Sequence, residues 1–277
     1  MLQTVTYYSI ALIGGLTVLA FIVSCERVRY HIKFSFFIAI LGTLPSLYIP
    51  FMLLRVKDWR NAIPVVWTIK LCAKLMGVTF HIRGKENLVQ DSGSIILINH
   101  QSILDIAVVS DLWLMNRRCA VIAKKEILFF GSFGIAAWLW GTIFISRQKS
   151  KEAHNIMNNT AQIIKDTKTN LFIFPEGSRH SNPKLLPFKK GAFHIAIATQ
   201  FPIQPVVVSK YYFLNSKWKI FNSGISCVTI LPPIPTEGLN KDDLPLLVEK
   251  VYECMNSEFI KTSQEILGEH INSFKAN

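Results

Sequence analysis

No two of the five cysteines in this 277-residue chain are spaced to share a metal. Cys25, Cys72, Cys119, Cys227 and Cys254 are odd in number, far apart and without a C-x-x-C pair, which excludes a disulfide framework and a zinc ribbon. They are expected to be free, buried thiols in a domain that faces a reducing compartment. The chain also lacks a G-x-S-x-G elbow, which argues against a serine hydrolase, and a histidine four residues from another, which argues against a helical zinc site. It carries no internal repeat and no low-complexity segment. Acids are scarce, 18 against 30 Lys and Arg, and the resulting +12 at a pI near 9.5 calls for an anionic partner. No RNP, helix-turn-helix or zinc-finger signature accompanies that charge, so nucleic acid is not the expected partner. Half the residues are hydrophobic and mean hydropathy is +0.32, which directs the charge toward a phospholipid surface or a phosphorylated substrate. The length allows one sizeable domain with additional segments, or two small domains.

Two apolar runs open the chain, residues 5–23 and 34–54, each close to the roughly 20 residues that cross a bilayer core. Between them lies CERVRYHIK, and Arg55, Lys57 and Arg60 follow the second run, so both flanks are basic and the distribution leaves orientation open. A cleaved signal peptide is the weaker reading, because no basic residue precedes the first run. Pro45 and Pro50 allow a kinked or re-entrant second segment. Residues 1–60 are therefore expected to be membrane-anchoring helices, and residues 61–277 a catalytic domain.

From residue 65 on, short apolar strands alternate with helical periods. An amphipathic helix near 64–76 leads into the strand VTFHIRG, then GSIILINH, apolar enough to be buried on both faces. SILDIAVVSDLWLM reads as a helix, RCAVIAKKEI as a short strand and turn, and KEAHNIMNNTAQIIKD as a helix. NLFIFPEGSR is a buried strand ending in a polar turn. GAFHIAIATQ is a helix, FPIQPVVVSKYYF and ISCVTILPPIP are strands, and Lys241 to about Ile266 is an amphipathic helix. The alternation predicts an α/β fold with a mostly parallel sheet flanked by helices. Residues 127–145 carry no charge and admit two readings, a third span or a buried helix plus strand. The glycines at 131, 134 and 141 favour the second.

His100 follows the strand GSIILIN, and Asp105 follows it by five. On one straight helix that offset would place the side chains about 140° apart. At a strand-to-helix corner the carboxylate can fold back onto the imidazole, fix its tautomer and leave the other nitrogen as a base. A second constellation, LFIFPEGSRHSNPKLLPFKKGAF, offers Glu176, Gly177 for close backbone approach, the donor fork of Arg179, and Lys189 with Lys190 before a helix start. Arg147 ends an apolar stretch. Residues 115–190 hold thirteen Lys and Arg against four acids, so net +9 of the total +12 gathers here.

Together these segments resemble the glycerolipid acyltransferase superfamily. Asn99-His100-x4-Asp105 matches its first motif, Gly141-x-x-Phe144-Ile145-x-Arg147 resembles the second, Phe174-Pro175-Glu176-Gly177-Ser178-Arg179 the third and Pro202-Ile203-Gln204-Pro205-Val206-Val207 the fourth, in order and with fitting spacing. The likeness covers roughly residues 60–260 and is greatest to the animal 1-acylglycerol-3-phosphate acyltransferases. Two departures stand out: Ser178 where the family often has Thr, and Ser146 where an acid usually precedes Arg147. The resemblance implies acyl transfer from acyl-CoA, as co-substrate and with no cofactor or metal, to the sn-2 hydroxyl of lysophosphatidic acid, giving phosphatidic acid and CoA. It implies His100 as base oriented by Asp105, Arg179 and Arg147 on the acceptor phosphate, Lys189 on that phosphate or on CoA, and Glu176 and Gly177 in the acceptor site. It also implies an endoplasmic reticulum membrane with the site on the cytosolic face. A relative using glycerol-3-phosphate or another lysophospholipid, and a non-enzymatic basic membrane scaffold, are the competing readings.

Overall fold

The computed structural model describes residues 8, 12–15, 24–90, 92–145 and 160–276, with side chains as far as 271. The sheet has seven strands: β1 (Val78–Arg83), β2 (Ile95–Ile98), β3 (Cys119–Lys124), β4 (Ile143–Ile145), β5 (Asn170–Ile173), β6 (Ile203–Val208) and, after the small hairpin β7 (Leu214–Asn215) and β8 (Ile220–Phe221), β9 (Gly224–Ile230). Their order is β1-β9-β6-β2-β5-β3-β4. All pairs are parallel except β6 with β9, so β1 and β9 run against the other five. The mostly parallel sheet expected from the sequence is present, with that reversal at one edge.

The central strand shows why so apolar a run is needed. Every residue of β2 is buried. Ile96 and Ile98 enter one core with the helices α1 (Glu26–Met52), α2 (Ile63–Leu75), α3 (Asp105–Met115) and α4 (Gly131–Leu139). Ile95 and Leu97 enter the opposite core with α5 (Gly191–Thr199) and α6 (Leu244–Ala276). Side chains of a strand alternate in direction, so a strand covered on both faces must be apolar at both phases.

The uncharged run 127–145 forms neither a span nor one long helix. It contains the end of a 3-10 turn (Lys125–Phe129), the nine-residue α4 and β4, which pairs with β3. Nine helical residues are half of what a bilayer crossing needs.

Of the two N-terminal runs, the first lies almost wholly outside the described residues. The second is within α1, but α1 begins at Glu26 and takes in most of the basic stretch expected to link two separate segments. The reason is tertiary. Arg29 Nη2 donates to Asn222 Oδ1 at 2.7 Å, Lys33 Nζ donates to the Met76 carbonyl at 2.6 Å, and Phe34 packs on Phe221 with centroids 5.1 Å apart. These partners make a basic helical turn worth forming. Residues 26–55 are long and apolar enough to cross a membrane, with a mean hydropathy of 2.0 over their most apolar 18 residues. Tyr30, Phe37, Leu41 and Met52 of α1 are buried against the body, whereas Ile32, Phe36, Leu47 and Phe51 are exposed.

The cysteines are free: Cys72, Cys119 and Cys227 are buried and Cys254 is half-buried, but Cys25 is exposed, contrary to expectation. Burial pushes the thiols of Cys72, Cys119, Cys227 and Cys254 up, away from the reactive thiolate.

Candidate active site

Three adjacent parallel strands, β6, β2 and β5, end side by side, with Leu97 opposite Ile173 and Ile98 opposite Val206. Their carboxyl ends carry the polar residues, the usual place for a site in an open α/β sheet. Asn99 closes the floor: its side-chain amide donates to the Val208 carbonyl at 3.0 Å and its oxygen accepts the Val208 N–H at 2.7 Å. β2 and β6 are thereby held together beyond the end of their ladder.

His100 comes next, and the chain turns into α3, whose first residue is Asp105. Asp105 Oδ2 lies 2.7 Å from His100 Nδ1 and accepts the backbone N–H of Gln101 at 2.7 Å and of Ser102 at 2.9 Å. Asp105 therefore binds the turn that delivers His100 as well as the imidazole itself. Its carboxylate is fully buried, whereas the His100 side chain keeps 16% of its surface. Phe174 stacks on the ring with centroids 4.0 Å apart. On the other side, Arg179 Nε donates to His100 Nε2 at 3.3 Å. A guanidinium has only donors, so Nε2 holds the lone pair and Nδ1 the proton directed at Asp105. The corner geometry read from NHQSILD is thus present, with its basic nitrogen facing the arginine.

The loop after β5 completes the surroundings. Glu176 is 2% exposed, and both of its oxygens are engaged: Oε1 accepts the His100 N–H at 2.8 Å, and Oε2 accepts the Leu186 N–H at 2.7 Å and pairs with His180 Nε2. The His180 N–H donates to the His100 carbonyl at 3.2 Å. The peptide of His100 is accordingly clamped from both sides by residues 176 and 180. This carboxylate ties the loop after β5 to the backbone of His100. Gly177 has φ +68°, and a Cβ there would fall 2.6 Å from Lys189 Nζ. The glycine therefore permits both the turn and the close passage of Lys189 across it. The Lys189 N–H donates to the Pro175 carbonyl at 2.8 Å, and Gly191 begins α5 as expected.

His100, Asp105, Glu176, Gly177, Arg179 and Lys189 are thus gathered at one end of the sheet. Arg147, with Ser146 before it, lies outside the described residues. Sequence reasoning missed Gln101, His180 and Tyr211. Gln101 bridges the Val208 and Ser209 carbonyls, and Tyr211 reaches Asp105 across 106 positions, a contact no local spacing reveals.

Gly177→Ala tests the close passage. The three atoms nearest the new methyl are the far end of a flexible lysine, so the variant should fold, with a left-handed alanine costing about 1 kcal/mol and a melting temperature lower by about 2–4 °C. Its activity should fall in step with that of Lys189→Ala. Full activity in both, measured in one assay, would remove Lys189 from the site.

Comparison with known proteins gives the family and the fold. The Acyltransferase family model matches residues 79–209. The 1-acyl-sn-glycerol-3-phosphate acyltransferase alpha of Homo sapiens is 36% identical over 238 residues, 86% of this chain and 83% of that protein. The beta protein of the same organism is 35% identical over 261 residues, 92% and 93% of the two chains. The crystal structure of the 1-acyl-sn-glycerophosphate (LPA) acyltransferase PlsC from Thermotoga maritima superimposes with a TM-score of 0.64 over 84% of this chain and 98% of that one. At 22% identity it shares the fold.

Proposed function

From the premise that this chain belongs to the 1-acyl-sn-glycerol-3-phosphate acyltransferases, we infer that it acylates the sn-2 hydroxyl of lysophosphatidic acid. The donor in this reading is acyl-CoA, the products are phosphatidic acid and CoA, and no cofactor is needed. The observation that carries it is the His100–Asp105 pair at 2.7 Å, with Nε2 turned toward an arginine.

The steps balance on these residues. His100 Nε2 takes the hydroxyl proton as the oxygen attacks the thioester carbonyl. The new C–O bond forms, the C–S bond breaks, and the proton on His100 passes to the departing thiolate. Asp105 stabilises the imidazolium between those transfers. A thioester is already activated, so no covalent enzyme intermediate is required. Arg179, Lys189 and, by resemblance, Arg147 hold the acceptor phosphate or the phosphates of CoA. Glu176 and Gly177 shape the loop that presents them. Much of the rate comes from holding two substrates together.

The protein is membrane-associated, consistent with the apolar, outward-facing side of α1. Residues 1–60 form the membrane anchor in this reading and 61–277 the catalytic domain. On α2, Trp67, Leu71 and Leu75 are exposed one turn apart, with Lys70 Nζ 5.2 Å from the centroid of the Trp67 ring, a pairing suited to a headgroup layer. The free thiols favour a catalytic face in the cytosol, and the endoplasmic reticulum is the membrane that fits the family.

The test is thiol release from oleoyl-CoA by detergent-purified protein, with lysophosphatidic acid, glycerol-3-phosphate, a headgroup-bearing lysophospholipid or no acceptor. Release that requires lysophosphatidic acid is expected. Release only with another acceptor would move the chain to a related acyltransferase, and none with any would leave the scaffold reading.

A further inference from the structure

Asp105 has two oxygens, and the site as read so far uses one. Oδ2 takes His100 Nδ1 and two backbone amides, whereas Oδ1 points into the protein. There it accepts a hydrogen bond from the Tyr211 hydroxyl at 2.8 Å. Tyr211 is 5% exposed, and its position is fixed from several directions. Its ring packs against Phe80 and Phe213, with centroids 6.3 and 5.4 Å away. Its backbone N–H donates to Gln101 Oε1 at 3.2 Å, within the turn that carries His100. We propose that Tyr211 is a positioning residue for acyl transfer, acting through Asp105 to aim the carboxylate and set its charge. The proposal rests on His100 being the base of that reaction.

Two effects follow from the geometry. A carboxylate gripped on one oxygen alone can swivel about its Cβ–Cγ bond. A donor on the second oxygen stops that rotation and keeps Oδ2 directed at Nδ1. The same bond draws negative charge toward Oδ1, which moderates how strongly Asp105 attracts an imidazolium. The hydroxyl itself stays protonated, because burial, the charge of Asp105 and the bond between them all push the phenol up. Among the described residues, ionisable groups near the pair include Arg179 on the ring of His100, Glu176 and His180 at its backbone and Lys189 beside Gly177, and further along α3 the Lys70–Asp111 ion pair joins it to α2. Altering the Tyr211 hydroxyl changes none of their described contacts.

The experiment uses the full-length protein with Tyr211→Phe, and with 3-fluorotyrosine at the same position. Phe keeps the ring packing and removes the donor. Fluorotyrosine keeps the shape and strengthens the donor. For Tyr211→Phe, kcat is expected to fall about tenfold with the acceptor KM little changed, since a positioned proton transfer loses part of its advantage. The acid limb of kcat/KM should move to higher pH, because Asp105 holds the protonated base more tightly. Fluorotyrosine should move that limb the other way. In substrate-free protein labelled with 15N-histidine, the resonance lost in His100→Ala should shift in both variants. That readout needs no acceptor, so it separates failure of this inference from failure of the assigned reaction. An unchanged limb and an unchanged resonance in folded Tyr211→Phe would overturn the proposal, as would a loss of kcat with no pH shift. Should the Phe variant not fold, an unchanged limb in the fluorotyrosine protein overturns it equally.

Discussion

His100→Ala should lower acyl transfer by about three orders of magnitude in a protein that still folds. General-base catalysis contributes roughly 10²–10⁴ in rate, and no other described histidine approaches the position of Nε2. His180 is committed to Glu176, with its Nδ1 accepting the Asn182 N–H at 3.2 Å. The cost to folding is small for a reason visible in the partners of Asp105. Removing an imidazole from a buried carboxylate usually strands a charge. Here the Gln101 and Ser102 amides and the Tyr211 hydroxyl remain, so the anion keeps three donors. What is lost is the hydrogen bond to Asp105, the exposed one from Arg179 and the stack on Phe174, together about 2 kcal/mol. A melting curve within a few degrees of the parent, beside absent thiol release, is the expected result. Retained activity would mean that the proton leaves by another route.

The sheet was legible because its central strands are buried on both faces and therefore read as unbroken apolar runs, IILI in β2 and LFI in β5. The corner at Asn99–Asp105 was legible for a related reason. A strand running straight into Asn, His and then an acid at the head of a helix leaves few places for the polar groups to go. The N-terminal region was harder. Its basic stretch CERVRYHIK lies between two apolar runs, and partners far along the chain, among them Asn222 and the Met76 carbonyl at 193 and 43 positions, hold most of it as helix. The protein partners of Glu176 were hidden by the same kind of distance. In a loop rich in cations its carboxylate invites a reading as a ligand group, yet the amide of His100, 76 residues earlier, claims one oxygen. The reversal of β1 and β9 has no local signature, since a strand's direction is set by the path of the chain between elements.

Arg179→Ala should separate two properties that are coupled in the parent. In the substrate-free chain its Nε rests on His100 Nε2, the atom assigned to take the hydroxyl proton. While that contact lasts, the base is covered. A phosphate is a far better partner for a guanidinium than a neutral imidazole, because it is charged and accepts two parallel bonds. An acceptor that brought its phosphate to the loop after β5 would draw Arg179 away and free the lone pair in one motion. Removing the side chain takes away about 2–3 kcal/mol of charged hydrogen bonding, so kcat/KM for lysophosphatidic acid should fall roughly a hundredfold. Thiol release without acceptor should not fall with it, and a rise would mean that the arginine shields the base from water. Arg179→Lys should recover the charge but not the fork, restoring part of the acceptor affinity. An unchanged acceptor KM in Arg179→Ala would place the phosphate elsewhere. A parallel loss of both activities would mean that Arg179 supports the base and does not guard it.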